Sequence, residues 1–389
     1  MTATAAVTSD KVRFHVVGDV LMDVLATGLP RIPNWEEDTT ADSVQCQPGG
    51  SAFNTAVHLA SLIGKRGSVC FHGCVGCDSF GALLRSKLVE CQVEPHLIER
   101  PLLSTGSCLV LSGGDEVSSG RSFVTCSGAS GTLVMEDLAE VLREELMNIE
   151  PASRVHIHWG GCYDYNSTLR TALPNSMKEL RHLAESRGVA LSLSADPNAT
   201  DAHHIEGLAE TLDQLDLFKG NHTEARLLTG ESDTKEALKE IVARGVGRCS
   251  AAITAGGQGA SCLLSPMAAA AAAAAAASTA AASAAAATGV KAVEISEIAE
   301  VGSFHVKAYD CTGAGDACSA GLLAGWAGLR MPLQQSLRLG CAAGAANCKT
   351  VGGCSTPLTM HDLLGLISRQ EVSGDSEIIA KLQDIVKLI

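Results

Sequence analysis

Lysine and arginine never occur in runs longer than a pair in this chain of 389 residues, which has 29 basic and 43 acidic side chains and a formal net charge of −14. Nucleic acids and anionic lipid surfaces are bound mainly through clustered positive charge, so neither is expected as a partner. The acidic balance is that of a soluble protein. Apolar residues make up 46% of the chain, which is sufficient for a large globular core.

Cysteine is plentiful, with 15 residues, but the evenly spaced pairs of a disulfide framework are missing. Most of these thiols lie in apolar segments, which indicates a reducing compartment where they serve as small core residues. Residues 1–12 lack both the apolar stretch of a signal peptide and the Arg-rich pattern of a transit peptide. We therefore treat residues 1–12 as an N-terminal tail and expect a cytoplasmic protein.

Two phosphate-binding motifs of other enzyme classes are also missing. The first predicted strand ends at Gly18-Asp19-Val20 without the Gly-x-Gly-x-x-Gly turn of nicotinamide-dependent oxidoreductases. The Gly-x-x-x-x-Gly-Lys-Ser/Thr motif of P-loop enzymes does not occur. Neither class is favoured.

Predicted strands and helices alternate along most of the chain. Strands are predicted at 13–17, 69–75, 154–159, 190–194, 215–219 and 251–254, with helices between them. This alternation predicts an α/β fold with a doubly wound, mostly parallel central sheet flanked by helices. Two β-rich segments, about 25–48 and 97–127, interrupt the rhythm and predict a small β-sheet that forms a lid.

An alanine-rich insertion occupies residues 268–289. Alanine is the best helix former but has too little apolar area to anchor a helix on a core. The tract is also only weakly apolar and lies between two predicted strands, which disfavours a membrane span. We predict an insertion in a connection, partly helical or disordered, with no catalytic role.

The segment Asp310-Cys311-Thr312-Gly313-Ala314-Gly315-Asp316 is the most informative. Alternating residues at 303–309 predict a β-strand before it, and small apolar residues predict a buried helix after it. The glycines then lie at a helix N-terminus, where free backbone N–H groups favour an anion. Asp316 is a poor anion ligand, but it can accept the proton of a hydroxyl that attacks a phosphoryl group. The segment is typical of a phosphotransferase active site.

Four motifs, in order, resemble those of the ribokinase-like (PfkB) family of carbohydrate and nucleoside kinases. Residues 310–316 match its Asp-Thr-x-Gly-Ala-Gly-Asp signature except at Cys311, and residues 49–54 match its Gly-Gly-x-x-x-Asn. Residues 221–224 resemble Asn-x-x-Glu, and residues 254–259 resemble Thr-x-Gly-x-x-Gly. The resemblance covers nearly the whole chain outside the tail and the alanine-rich insertion. It implies a ribokinase-like fold, with residues 13–389 as one kinase domain.

The resemblance implies the catalytic groups. Asp316 is the catalytic base that takes the proton of the acceptor hydroxyl. Gly313, Ala314 and Gly315 provide an anion hole of backbone N–H groups for the γ-phosphoryl group of ATP.

The resemblance also implies how the nucleotide is held. Asn221 and Glu224 organise Mg²⁺ and the ATP phosphates, and Glu224 reaches the metal through water. Thr254, Gly256 and Gly259 line the ATP pocket.

Further positions follow from the same resemblance. Asp23, together with Gly50 and Asn54, holds the hydroxyls of a sugar substrate, a task that suits a carboxylate because it accepts from two hydroxyls at once. Asp310 and Thr312 fall where many members bind a monovalent cation, so K⁺ is a candidate ligand there.

We therefore predict an ATP-dependent kinase that phosphorylates a hydroxyl of a small sugar such as ribose or fructose. A nucleoside kinase of the adenosine type is the nearest alternative, because it shares the fold and the base. A catalytically idle relative that serves as an assembly or regulatory protein is a further alternative, although Asp316, Gly313 and Gly315 are all present. Relatives often dimerise through the lid sheet, so the resemblance implies a homodimer.

Overall fold

The computed structural model describes residues 11–113, 120–161, 167–199, 201, 205, 207–283 and 297–387. The strands within them form two sheets. The larger sheet consists of β1 Val12–Gly18, β4 Gly67–Gly76, β5 Val93–Arg100, β8 Arg154–Gly160, β9 Ala190–Asp196, β10 Leu217–Asn221, β11 Ser250–Thr254, β12 Ala260–Leu263 and β13 Ala299–Val301. The smaller sheet, the lid, consists of β2 Leu21–Leu29, β3 Ser43–Gly49, β6 Ser107–Gly113 and β7 Gly120–Cys126.

The large sheet has the order β13-β12-β11-β10-β9-β8-β1-β4-β5. Neighbouring strands from β5 to β11 are parallel, whereas β12 and β13 are antiparallel at one edge. The carboxyl ends of the parallel strands therefore meet on one side, where ligands of doubly wound folds bind. Asp196, Asn221 and Thr254 lie at three of these ends. The predicted fold class is confirmed.

Helices pack on both faces of this sheet, and a separate hydrophobic core lies on each face. Because successive strand residues point to opposite faces, Val16 packs into one core and Val17 into the other. The α-helices are α1 Ser51–Ile63, α2 Ser79–Glu90, α3 Glu136–Asn148, α4 Ser167–Arg187, α5 Leu208–Thr211, α6 His222–Thr229, α7 Thr234–Arg244, α8 Pro266–Ser283, α9 Ala314–Leu323, α10 Leu333–Asn347, α11 Met360–Arg369 and α12 Asp375–Val386.

The lid strands β2 and β3 connect to the body at two adjacent places. The chain leaves β1 and enters β2 through Asp19 and Val20, and it returns from β3 to α1 through Gly50. The second predicted lid segment, 97–127, contains β6 and β7 but begins inside β5, which pairs with β4 in the large sheet. Val93 and Leu97 of β5 are buried in the same core as Val16. This strand therefore packs with the body despite its lid-like pattern.

The strand predicted at 303–309 is wrong, because the structure has no regular strand there. The short strand β13 ends at Val301, and the next residues are tied to helices. His305 exchanges two backbone hydrogen bonds with the side chain of Gln370, and the Tyr309 N–H donates to the Cys348 carbonyl. These groups replace a strand partner, so alternation alone did not produce a strand.

The alanine-rich insertion begins as α8, between β12 and β13. Residues 284–289 of the predicted insertion lie outside the described residues. No helix in the described ranges is long and apolar enough to cross a membrane.

Candidate active site

The glycine turn lies at the N-terminus of α9. Gly313 is the residue before the helix and has φ 72°, a left-handed conformation that favours glycine. A Cβ at this position would lie 2.5 Å from the Cα of Gly353, so the backbone packing also requires glycine. A Cβ at Gly315 would meet only the Lys219 Nζ, at 3.7 Å. The first turn of α9 is therefore open to a ligand, and its N–H groups suit an anion.

Asp310 stabilises the approach to this turn. Its Oδ1 accepts hydrogen bonds from the Thr312 N–H and hydroxyl, at 2.9 and 2.7 Å. Its Oδ2 accepts from the Gly352 N–H at 2.8 Å. The buried Asn347 adds a hydrogen bond from its Nδ2 to the Thr312 carbonyl at 2.7 Å. These contacts fix the loop from which α9 begins.

Asp316 lies in the first turn of α9 and is held on both carboxylate oxygens. The Ser51 hydroxyl donates to Oδ1 and the Asn54 Nδ2 donates to Oδ2, both at 2.8 Å. Burial raises the pKa of Asp316 to about 6, although the hydrogen bonds from Asn54 and Ser51 lower it. A carboxylate with this pKa is mostly ionised at neutral pH and still basic enough to accept a proton.

Ser51 and Asn54 owe their position to the way α1 begins. Gly50 precedes the helix with φ 102°, and a Cβ there would lie 2.7 Å from the Asp19 carbonyl oxygen. Asp19 accepts from the Ser51 N–H at 2.7 Å and from the Ala52 N–H at 2.8 Å, which caps α1. The buried cap directs the first turn of α1 towards Asp316.

Asn54 therefore has a role that the sequence did not predict. Its amide nitrogen holds the Asp316 carboxylate, and its contact with a substrate, which the resemblance implies, stays a prediction. Its Oδ1 is buried without a hydrogen-bond partner among the described residues. The structure also places Gly50 at the hinge between lid and body, and its role toward a substrate stays a prediction.

Asp23 lies on β2, on the lid face where its strand neighbours Gln47 and Cys108 also lie. Its side chain is buried against Gly49, where a Cβ would come within 2.2 Å of Oδ2. Burial, with repulsion from Asp19, Asp316 and Asp310, raises the pKa of Asp23 to about 7. The carboxylate of Asp23 on the lid therefore lies near carboxylates of the body.

Asn221 and Glu224 form the capping box of α6. The Asn221 Oδ1 accepts from the Thr223 and Glu224 N–H groups at 2.8 and 3.0 Å, and Glu224 Oε2 accepts from the Asn221 N–H at 2.7 Å. Burial and repulsion from Asp196 raise the pKa of Glu224. The resemblance implies that these two residues organise Mg²⁺ and ATP. In the structure their side chains cap α6, so any contact with a metal would have to be compatible with this capping.

A buried ion pair, which the sequence analysis missed, lies beneath the glycine turn. Lys219 Nζ donates to Asp196 Oδ2 at 2.7 Å and to the Gly315 carbonyl at 3.3 Å. The Ser319 hydroxyl donates to the same Asp196 oxygen at 2.6 Å. Burial opposes the charge on Lys219, but the Asp196 carboxylate raises its pKa above the ordinary value. The sequence could have indicated this pair, because Lys219 and Asp196 are charged residues towards the carboxyl ends of apolar strands.

A cavity of about 340 Å³ opens beside the glycine turn. Its walls include predicted nucleotide residues, the turn itself and one face of α10: Thr254, Gly256, Gly259, Phe304, Ala314, Gly315, Cys318, Cys341 and Gly344. A Cβ at Gly256 would meet nothing within 4 Å, so this loop leaves space for a ligand. The structure thus brings the predicted Thr254, Gly256 and Gly259 to the same cavity as Ala314 and Gly315.

A second cleft, of about 590 Å³, separates the lid from the body. Lid side chains Leu25, Gln45 and Val110 face Tyr309 and Asp310 across it. Polar and apolar groups are therefore both available to a ligand beside the glycine turn.

Possible metal ligands are closely grouped at one place in the described part of the chain. Among the described residues, three ligand atoms come within 4.8 Å of one another only at Cys70, Glu94 and His96, on β4 and β5. The Arg13 guanidinium contacts Glu94 at 2.8 Å, and its charge disfavours a cation there. At the active site, Glu224 offers the hard oxygen donors that Mg²⁺ prefers.

The fold, the lid and an acidic side chain at a glycine turn define a phosphotransferase that acts on an alcohol group. The chain belongs to the PfkB family, because residues 13–287 and 267–360 match the family described as pfkB family carbohydrate kinase. It is therefore a sugar or nucleoside kinase of that family.

Individual relatives include enzymes of both substrate classes. The chain is 25% identical over 362 residues to a fructokinase of Klebsiella pneumoniae, covering 90% of this chain and 97% of the relative. It is 27% identical over 199 residues to an adenosine kinase of Dictyostelium discoideum, covering 51% and 54%. The fructokinase of Vibrio cholerae O395, solved with fructose, ADP and a calcium ion, has a TM-score of 0.64 at 20% identity and covers 92% of this chain and 99% of that one. At this identity the structural match supports the fold.

Proposed function

We propose that this protein transfers the γ-phosphoryl group of ATP to a hydroxyl of a small sugar, with Asp316 as the catalytic base. The supporting observation is the Asp316 carboxylate, held by Ser51 and Asn54 at the N-terminus of α9 with a pKa of about 6. An ionised carboxylate there can accept the proton of the acceptor hydroxyl as the oxygen attacks phosphorus. The reaction needs one base and good positioning, without a covalent intermediate.

The anion hole consists of the backbone N–H groups of Gly313, Ala314 and Gly315. Charge that develops on the transferring group would lie beside these donors and the positive end of the helix dipole. The Lys219 ammonium, with Asp196 as its counter-ion, donates a hydrogen bond to the Gly315 carbonyl beneath the turn. The 340 Å³ cavity leads away from the turn and is the proposed site of the nucleotide.

Cations are a further part of the proposal. Mg²⁺, reached through water by Glu224, would neutralise charge on the ATP phosphates. Asp310 and Thr312 stay the predicted K⁺ site, beside the turn that they stabilise.

The sugar would bind in the cleft between lid and body. Asp23, Gln45 and Gln47 project from one face of the lid, as the pairing of β2 and β3 requires, and can exchange hydrogen bonds with hydroxyls. The fructokinase of Klebsiella pneumoniae, matched over 97% of its length, supports a sugar. Closure of the lid would exclude water and so suppress hydrolysis of ATP.

A nucleoside is the second candidate substrate. The match to an adenosine kinase covers about half of each chain. The cleft also has apolar walls, Leu25 and Val110, and the aromatic ring of Tyr309, which could pack against a base. A sugar kinase could have the same cleft walls. The two candidate functions are therefore distinguished only by which acceptor the protein phosphorylates.

An acceptor screen tests the proposal. Purified protein with ATP, Mg²⁺ and K⁺ is assayed for ADP release with ribose, fructose, 2-keto-3-deoxygluconate, inositol, adenosine and inosine. We expect turnover with a sugar. Activity on nucleosides alone would reject the sugar, and binding of ATP without turnover of any acceptor would reject kinase function.

We also propose that two copies dimerise through the lid. Val44, Leu109 and Val124 share the face of the lid opposite Asp23 and are 65%, 38% and 62% exposed. Exposed apolar residues grouped in this way favour an interface. Light scattering should give twice the monomer mass, and Val124→Lys should return the protein to a monomer. A monomeric parent protein would reject the interface.

A further inference from the structure

Four cysteines line the 340 Å³ cavity: Cys311, Cys318, Cys341 and Cys348. Two of them, Cys318 on α9 and Cys341 on α10, lie close enough together for each thiol to influence the pKa of the other. The pair lies in the cavity wall, half a turn beyond Asp316 along α9.

The two thiols meet because α9 and α10 cross at very short range. A Cβ at Gly340 would lie 2.7 Å from the Cys318 carbonyl oxygen and 3.2 Å from its Sγ, and a Cβ at Gly344 would lie 3.5 Å from the Cys318 Cβ. A Cβ at Gly321 would lie 2.9 Å from the Cα of Gly340. Glycines on both helices thus permit a backbone approach that suits a disulfide between neighbouring side chains.

The surroundings favour ionisation of Cys318 over that of Cys341. The hydrogen bond from Cys341 lowers the pKa of the Cys318 thiol, and the positive charge of Lys219 acts in the same direction against the opposing effect of burial. Cys318 is only 5% exposed, whereas Cys341 is half-buried, and both contact the cavity. A small reagent can therefore reach the pair through the cavity. Reactive cysteines are typically thiolates of this kind beside a second, resolving cysteine.

We propose that Cys318 and Cys341 form an oxidisable dithiol in the wall of the nucleotide cavity, and that their disulfide weakens nucleotide binding. The proposal rests on the proposed function for the identity of the cavity's ligand. The oxidant is a hydroperoxide. The Cys318 thiolate attacks one peroxide oxygen, which breaks the O–O bond and gives a sulfenic acid while the other oxygen leaves as water or an alcohol. The Cys341 sulfur then attacks the Cys318 sulfur and expels water, so two thiols are oxidised and one peroxide is reduced.

The disulfide would change the cavity in two ways. It replaces two adaptable thiols by a rigid bridge in the wall that the nucleotide contacts. It also links α9, one turn after the anion hole, to α10. Both effects act on the shape of the ligand site, so nucleotide affinity should change more than the stability of the fold.

The first experiment treats the reduced protein with hydrogen peroxide and maps its disulfides by mass spectrometry. We expect a peptide pair joined through Cys318 and Cys341, about 2 Da lighter than its reduced form, that dithiothreitol restores. The kcat/KM for ATP, measured with the best acceptor of the screen, should fall about tenfold on oxidation and recover on reduction. A different cysteine pair, or an unchanged kcat/KM with the disulfide formed, would overturn the proposal.

Matched serine variants separate this pair from the other thiols of the cavity. In Cys341→Ser no disulfide can form, so Cys318 should proceed to sulfinic acid and dithiothreitol should no longer restore activity. Cys348→Ser, in the same cavity, should keep the disulfide and the reversible loss. Each variant is compared with its own reduced form. Reversible loss in Cys341→Ser would contradict the proposal.

Protection by nucleotide distinguishes this inference from the proposed function. Saturating MgATP should slow formation of the disulfide about tenfold, because a bound ligand blocks the cavity. If MgATP binds but gives no protection while the disulfide still forms, the dithiol stands and the nucleotide site has been misplaced. If the enzyme phosphorylates a sugar but the Cys318–Cys341 disulfide never forms, the inference fails and the function stands.

Discussion

The glycine turn and the lid face each other across one cleft, yet they are built in opposite ways. Around the turn, the charged and polar side chains already bond to one another: Asp316 to Ser51 and Asn54, and Asp196 to Lys219 and Ser319. On the lid, Gln45 contacts only Ser43 and Gln47 among the hydrogen bonds found for the described residues. The polar groups around the turn are thus already paired with one another in the body, whereas the lid presents groups that are available to a ligand.

Asp23 is the exception on the lid. Burial and, to a smaller extent, repulsion from three other carboxylates raise its pKa to about 7. Such repulsion costs folding free energy, which a structural residue would be expected to avoid. A substrate whose hydroxyls donate to this carboxylate would relieve part of that cost. We therefore expect substitutions in the body to change catalysis and stability, and substitutions in the lid to change substrate affinity.

The largest effect is expected for Asp316→Asn in the body. Asparagine preserves the shape but removes the proton acceptor, so kcat should fall by roughly two to four orders of magnitude. Binding of ATP, measured by calorimetry, should persist because the cavity is unchanged. Near-normal turnover in a folded variant would reject Asp316 as the base.

The second effect concerns the stability of the body. Lys219→Met leaves Asp196 as an unpaired buried charge, and breaking a buried ion pair in this way costs roughly 3–5 kcal/mol. Urea denaturation followed by circular dichroism measures the loss. The matched control is Lys235→Met, because Lys235 pairs with Glu300 on the exposed surface, and it should shift the midpoint little. Equal midpoints for the two variants would show that the buried pair does not stabilise the body.

The motifs of the sequence predicted the fold and located the glycine turn, because alternating strands and helices and a glycine-rich helix start are local patterns. The contacts between segments were not predictable in this way. Ser51 lies 265 residues before Asp316, and nothing in either motif specifies that the two side chains meet. The same holds for Lys219 and Gly315, which join through the sheet order.

Sequence patterns were least reliable where a strand lacks a regular partner or has a partner in the other sheet. The alternation at 303–309 has the period of a strand, but its backbone bonds to Gln370 and Cys348. Residues 97–100 resemble the lid in composition, but they belong to β5 because β4 lies beside them. An alternating sequence pattern predicts that the chain is extended. Whether the extended segment forms a strand, and in which sheet, depends on the element that lies beside it.

The third effect tests the lid. Asp23→Asn should raise the KM for the sugar roughly tenfold to a hundredfold, because an amide cannot accept from two hydroxyls as a carboxylate does. The KM for ATP should change little, since the cavity beside the turn does not include this residue. Asp42→Asn, at the end of the loop that connects β2 to β3, is the control and should leave both constants unchanged. A rise in the KM for ATP equal to that for the sugar would contradict the division between lid and body.

The same variant has a second readout. The pKa of Asp23 is raised from 3.8 to about 7 on folding, so the folded state holds this proton more tightly than the unfolded state. The free energy of unfolding should therefore fall as the pH rises from about 4 to about 7. Urea denaturation across this range should show a shallower fall for Asp23→Asn. A steeper fall in the variant would show that the carboxylate is stabilised, not repelled, by its surroundings.

The smallest effect is expected for Ser51→Ala. This variant removes one of the two hydrogen bonds that the body provides to Asp316. In the parent protein, kcat/KM should fall below about pH 6, as Asp316 becomes protonated. The Ser51 hydroxyl lowers the pKa of this carboxyl, so its removal should move the acid limb of the pH profile to higher pH. Ser61→Ala, later on the same helix, should leave the limb in place. An acid limb that is unchanged in Ser51→Ala, or that moves to lower pH, would mean that the group titrating in the profile is not the carboxylate held by α1.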